Sequence, residues 1–554
     1  MAHHSPSLNL TEKLKRLVYL TKINPHFNVG DPDIYSYQIS GRTHTNTPDS
    51  QSVFTELLDE DLNHLFVVLD TANKDPNLPR RSALFYILAI MWQHDMKPHQ
   101  KSKIAVKVIE LIQCDEDFFT FIKYLVRCTK HKMPSSIEKI ARKFYTDKTP
   151  IELARSAAIC PRMFKWSHKD LLILSHFKSD SLLKNVVVNY ILNGKVTNQA
   201  SEEELEVLKV IKKAEELRRT THAVNAIPIV VSEKFTMDQV SVKLQQNPQV
   251  WEAAISNMTI QQILPCLLKL YRLNLLKSGT TISNHITDLF TNPEKVKSSS
   301  IHPIQVFTFM KKFEKGGKPM DFELINYLKM QKKLSESDLK KAQTRTEIKC
   351  VHILNALAKC FELACNNVQA TNKRYLLTID VTSESKKAIC IGSKFLTLLE
   401  AAVAYAIVLL RVEKDVTIAT YKDDKVEFFS VGKKVSYADL LKKITAQSST
   451  YSYIFAPVEW AASEKKHVDI FVNFIHNNFI RKVPQEKNLT KIKYEPILKY
   501  RSKVNLPNAK FLTFAPVNTA TFFCADAPSN IVEILGFDTI ACKVAECFSR
   551  GAFC

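Results

Sequence analysis

The chain is predicted to be mainly α in two domains: an α-solenoid of HEAT-like helix pairs, followed by an α/β doubly wound sheet. Three observations predict this. From about Glu56 to Leu363 apolar residues recur three and four apart, the period of amphipathic helices. From about Lys373 they gather instead into short apolar runs separated by single helical stretches, which is how parallel strands covered by helices read. Glycine is scarce, ten in 554 residues, so neither half can write a glycine-rich phosphate loop. The expected organisation is an N-terminal extension over 1–55, a helical domain over 56–370 and an α/β domain over 371–554.

In chain order, Leu62-Leu65-Val68-Leu69 starts the helical series, and Leu84-Phe85-Ile87-Leu88-Met91 and Ile104-Val108-Ile109-Ile112 continue it. Ile137-Ile140-Phe144, Leu182-Val186-Val187-Tyr190 and Ile260-Ile263-Leu267-Leu270 follow, with short Pro-, Asn- or Asp-bearing connections. Stacked helix pairs bury such faces against their neighbours. In the second half the expected strands are Tyr375–Asp380, Val416–Tyr421, Val426–Val431, Val468–Ile475 and Phe511–Val517. The expected helices are Phe395–Arg411, Tyr437–Thr445, Leu489–Tyr500 and Thr539–Phe548. Single-helix spacing between strands implies parallel pairing.

A formal net charge of +21 favours polyanionic partners. Twelve cysteines without a C-x-x-C pair fit reduced thiols in a cytoplasmic protein, with the nucleus also open. Ala401 to Leu410, the longest apolar stretch, is half of what a membrane span needs, so no membrane partner is expected. No nucleophile elbow, H-E-x-x-H or paired catalytic carboxylates can be written, which argues against an enzyme.

The charge is clustered. Residues 121–178 hold 13 Lys or Arg against four acids, a surplus of nine in 58 residues. Such a patch is the electrostatic footprint of a nucleic-acid site. The candidate contacts are Lys123, Arg127, Lys132, Arg142, Lys143, Arg155, Arg162, Lys165, His168 and Lys169. Ser167 and Asp170 read as a capped helix start, placing His168 and Lys169 in a first turn whose free amides favour an anion. His168 either meets a phosphate, stacks on a base, or packs locally. His302, ahead of Pro303, reads as a capping residue, and Lys311-Lys312 as a solvated face.

Asp380-Val381-Thr382-Ser383-Glu384 closes an apolar strand and resembles the D-x-S-x-S metal word of von Willebrand factor A domains. Thr382 keeps the hydroxyl, whereas Glu384 replaces the third residue. Thr450 fits the second loop, and His476 stands where a third-loop acid is usual. Asp380, Thr382, Glu384 and Thr450 are therefore a degenerate candidate site for a divalent cation such as Mg²⁺, with a metal-free domain as the alternative.

Trp166-Ser167-His168-Lys169-Asp170-Leu171-Leu172-Ile173-Leu174-Ser175-His176 resembles the most recognisable stretch of the TROVE domain in the Ro ribonucleoprotein family. Ser300-Ile301-His302-Pro303, Lys373–Val381 and Gly536-Phe537-Asp538-Thr539 are similar to other stretches of that family, in the same order from roughly Asp59 to Phe548. The resemblance implies helical repeats closed into a basic ring, a von Willebrand factor A-like domain, and binding of small noncoding Y RNAs and misfolded noncoding RNAs by a monomeric protein within a ribonucleoprotein. Protein partners would dock on the A-like domain. Ile159, Cys160 and Pro161 depart from the family's polar stretch. The alternative is therefore a protein-interaction scaffold of the same architecture that has lost specific RNA binding.

Overall fold

The computed structural model describes residues 9–29, 56–57, 62–92, 96–128, 136–194, 201–317, 335, 348, 350–476, 494–518 and 530–553. The chain forms two compact units, one of residues 48–258 and one of residues 1–47 with 259–554. The change of period near residue 370 is thus not where the chain divides into compact units. The helices from Thr259 onward belong to the unit that contains the sheet.

The strands are β1 (His26–Asn28), β2 (Arg162–Met163), β3 (Trp166–Ser167), β4 (Arg374–Ile379), β5 (Asp415–Lys422), β6 (Lys425–Phe429), β7 (Ile470–Phe474), β8 (Lys510–Ala515) and β9 (Ile531–Leu535). Seven of them form one sheet in the order β1-β9-β8-β7-β4-β5-β6, with β2 and β3 forming a separate ribbon. Every pairing in the large sheet is parallel except β5 with β6. β4, β7, β8 and β9 are buried nearly throughout, as strands covered on both faces must be. On one face Leu376, Phe471 and Phe511 pack with Val458, Ile497 and Tyr500 of the helices Ala456–Ser463 and Glu495–Val504. On the other, Tyr405 of the helix Leu398–Val412 meets the rings of Phe474 and Phe514 at 5.8 and 5.1 Å. That helix carries the longest apolar stretch and buries every residue from Leu398 to Leu410 except Glu400. It is a core helix, apolar all round because protein surrounds it. No helix among the described residues is long and apolar enough to cross a membrane.

The segment expected to be an extension is partly structured. The helix Leu10–Leu20 packs Tyr19 on Phe553 at 5.5 Å. β1 then adds a parallel strand to the sheet edge, with Phe27 opposite Ile534. β1 and β9 were both missed in the sequence. β9 carries Glu533 inside its apolar run, and β1 has three residues with no alternation to read.

In the unit of residues 48–258 the described elements are helices apart from the β2–β3 ribbon, Asn63–Asn73 being the first and Pro248–Ile255 the last. Their shared faces bury Leu84, Leu88, Phe118, Phe121, Ile122, Leu153 and Leu171 completely. Arg81, one of two arginines after a proline turn, is committed to this packing. Its Nε donates to Asp117 Oδ2 at 2.9 Å and its Nη1 to Asn73 Oδ1 at 2.5 Å.

Candidate nucleic-acid interface

The described basic candidates lie on four successive helices and the β2–β3 hairpin of the unit formed by residues 48–258. Lys123 and Arg127 are half-buried on the helix Asp115–Cys128, and Arg142 and Lys143 are exposed on Ser136–Asp147. Arg155 is exposed on Pro150–Ile159, Arg162 opens β2, Lys165 sits in the hairpin loop, and His168 and Lys169 begin the helix His168–Leu174. Lys132 lies outside the described residues.

Their surroundings separate them. Arg142 Nε donates to the Ser175 carbonyl at 3.0 Å, and Lys143 pairs with Asp147 at 2.5 Å one helical turn on. Surface pairs of this kind hold weakly, so a phosphate can displace them. Among the described residues, Arg155, Arg162, Lys165 and Lys169 have no ion-pair or hydrogen-bonded side-chain partner and are exposed. They are the cations already available to a polyanion. Lys148, which was not among the candidates, is engaged internally: its ammonium is 3.0 Å from Asp115 and 2.9 Å from the Ser156 hydroxyl.

His168 requires a correction. It is 1% exposed, its Nδ1 is 3.1 Å from the Tyr145 hydroxyl, and its ring stands edge-on to Phe119 at 5.1 Å. It can neither stack on a base nor reach a phosphate. Burial, with Lys148 acting in the same direction and Asp115 opposing, lowers its pKa to about 4, so the ring is neutral at physiological pH. The signal was present in the spacing: His168 shares a helical face with Leu171, Leu172 and Ser175, all buried.

The helix start forms as the spacing predicts. Ser167 Oγ accepts from Asp170 N at 3.1 Å, and Asp170 Oδ2 accepts from Ser167 N at 2.9 Å, closing a capping box. That closure removes the expected anion cradle. Asp170 brings a carboxylate to the helix end, where it already answers the dipole and repels a phosphate.

In the α/β unit the degenerate metal word is tightly hydrogen-bonded. Asp380 is fully buried, with Oδ1 accepting from Thr382 N and Oδ2 from His476 N, both at 2.9 Å. The Thr382 and Ser385 hydroxyls bond each other at 2.9 Å, and Glu384 lies exposed beside Ser383. Thr450 is exposed, and its amide donates to Asp423 at 3.0 Å. Among the described residues no three His, Cys, Asp or Glu side chains converge as a metal site. This donor set does not fit a hard divalent cation, because both Asp380 oxygens are taken by backbone amides, the Thr382 hydroxyl by Ser385, and no second carboxylate among the described residues converges on them. A cation is nevertheless built in: Lys386 Nζ donates to the Thr445 carbonyl at 2.9 Å and to the Gln447 carbonyl at 2.5 Å, joining the loop after β4 to the loop that carries Thr450.

Comparison with known proteins places this arrangement. Residues 374–549 match the family model of the Ro60 vWA domain. RNA-binding protein RO60 of Deinococcus radiodurans is 23% identical over 398 residues, 70% of this chain and 66% of that protein. RNA-binding protein RO60 of Caenorhabditis elegans is 22% identical over 463 residues, 75% of this chain and again 66% of that protein. The chain therefore spans about two thirds of the length of each curated relative. The crystal structure of the Deinococcus radiodurans RO (RSR) protein has the same fold, with a TM-score of 0.79 at 18% identity over 98% of this chain and 100% of that one. The α/β domain thus matches the Ro60 vWA model, and the fold is shared with the Deinococcus radiodurans RO protein along nearly the whole chain.

Proposed function

We propose that this protein binds RNA, gripping the phosphate backbone through Arg155, Arg162, Lys165 and Lys169, and that its ligands are small noncoding RNAs of the Y class and misfolded noncoding RNAs. The observation that carries the reading is the set of exposed, unpartnered cations on consecutive elements of one unit. Two relatives named as RNA-binding proteins support it. The mechanism is association without covalent chemistry: each phosphate contact releases counterions, and affinity follows salt.

Sequencing the RNA that accompanies the protein purified from its own cells tests the ligand class. A Y-like small RNA is the expected result. RNA-free protein carrying a stable protein partner would establish the scaffold reading instead. A filter-binding salt series tests the mechanism. Four phosphate contacts to a single strand give a log–log slope of about −3, and a flat series would refute it.

A further inference from the structure

The ribbon between β2 and β3 turns in two residues. Arg162 pairs with Ser167 and Met163 with Trp166, which leaves only Phe164 and Lys165 in the loop. Both lie in the left-handed region, at φ 51° and 75°. This is the mirror-image hairpin turn for which Asn-Gly is the ordinary choice, because a β-carbon is strained there. An aromatic followed by a long cation is an unfavourable pair for the backbone, so the side chains must supply the reason.

Packing does not supply it. Phe164 is 41% exposed, whereas Phe118, Phe119 and Phe121 of the neighbouring helix are fully buried. Its ring instead meets the Lys123 ammonium, 4.5 Å from the centroid. Such a cation steadies an aromatic face. Arg162 and Lys165 of the same hairpin and Lys169, two residues beyond β3, are all exposed. An aromatic held out at a turn tip amid free cations is the arrangement that single-stranded nucleic acid uses, its bases stacking on rings while its phosphates meet the charges.

We propose that Phe164 is a base-stacking platform for unpaired RNA, with Lys123 holding the ring and Arg162, Lys165 and Lys169 taking the adjoining phosphates. The proposal rests on the RNA-binding reading and deepens it. Stacking tolerates any base but needs an open base face, so the platform favours single strands over duplex. This accounts for Lys123 as a positioning residue, although it is only half-exposed.

The test uses the full-length protein, a fluorescent oligouridine, and an abasic ribose-phosphate strand of equal length. Asn is at ease in the left-handed region, so Phe164→Asn keeps the turn and removes the ring. The expected result is an unchanged or higher Tm with affinity for oligouridine down roughly tenfold, and Phe164→Trp within about twofold of wild type. Affinity for the abasic strand is expected to match wild type in both variants. Oligouridine binding equal to wild type in Phe164→Asn overturns the platform while leaving RNA binding intact. An equal loss on both strands, or a Tm drop that accounts for the loss, overturns it in favour of a structural role. Wild-type protein that retains neither strand overturns the RNA-binding reading along with it.

Discussion

The Tyr145 hydroxyl and His168 Nδ1 meet at 3.1 Å inside the helical unit, with Phe119 and Phe177 against the pair. Burial lowers the His168 pKa to about 4, and it pushes Tyr145 the other way, so both are neutral. In the unfolded chain His168 titrates at its ordinary 6.5. As pH falls the unfolded form therefore takes its proton first. Stability is full above 6.5, declines below it, and has lost about 3 kcal/mol by the time pH reaches about 4. His168→Gln removes this contribution. Thermal melting from pH 7 to 4.5 should fall more steeply for wild type than for the variant, and parallel curves would refute the assignment. His26, which burial also lowers to about 4, contributes equally to both proteins.

Lys169, next in sequence, should behave in the opposite way because its side chain is exposed. Lys169→Ala is expected to keep stability within about 0.5 kcal/mol of wild type and to reduce the salt slope of RNA binding by about 0.7, one phosphate contact on a single strand. His168→Ala is expected to lower Tm and to change the slope little. If the two variants exchange these signatures, the division between buried and exposed neighbours is wrong.

These two residues also show how far the sequence could be read. The helix start at Ser167 was legible because a capping box is local, written within four residues. The packing of His168 is written less locally, in the helical face it shares with Leu171, Leu172 and Ser175, all buried. β4, β5, β7 and β8 fall within two residues of the expected runs, since continuous apolarity marks a doubly covered strand. β1 joins the sheet through a partner more than 500 positions away, His26 facing Glu533. Such pairing leaves no local trace. The two-residue turn at Phe164 was hidden for a different reason: its residues are the wrong ones for the turn they make.

Val29 records how the N-terminal segment is seated. Its amide donates to the Leu535 carbonyl at 2.9 Å, and its side chain lies against Gly392 and Gly536, at φ 89° and 87°. A β-carbon on Gly536 would stand 2.8 Å from Val29 Cβ, while one on Gly392 would overlap Val29 Cγ1. Either Gly→Ala change should destabilise by about 2 kcal/mol or more, from clash plus left-handed strain. Val29→Ala removes Cγ1 and keeps Cβ. It should therefore rescue part of Gly392→Ala but little of Gly536→Ala. Equal rescue in a double-mutant melting series would contradict this seating.

Lys386 ties the loop after β4 to the segment just ahead of Thr450. Its ammonium is shared by the Thr445 and Gln447 carbonyls, while the Asp380 carboxylate is satisfied by two backbone amides. A tethered cation cannot be removed by chelation. Millimolar Mg²⁺, compared with NaCl at equal ionic strength, should leave the wild-type Tm unchanged, as should EDTA. Lys386→Met keeps the apolar stem but leaves both carbonyls without their donor. One of these bonds is part-buried, so the loss is expected to be about 1 kcal/mol. Saturable stabilisation of wild type by Mg²⁺ would show that the loops still assemble a metal site, and a neutral Lys386→Met would show that the bridge contributes nothing to holding them.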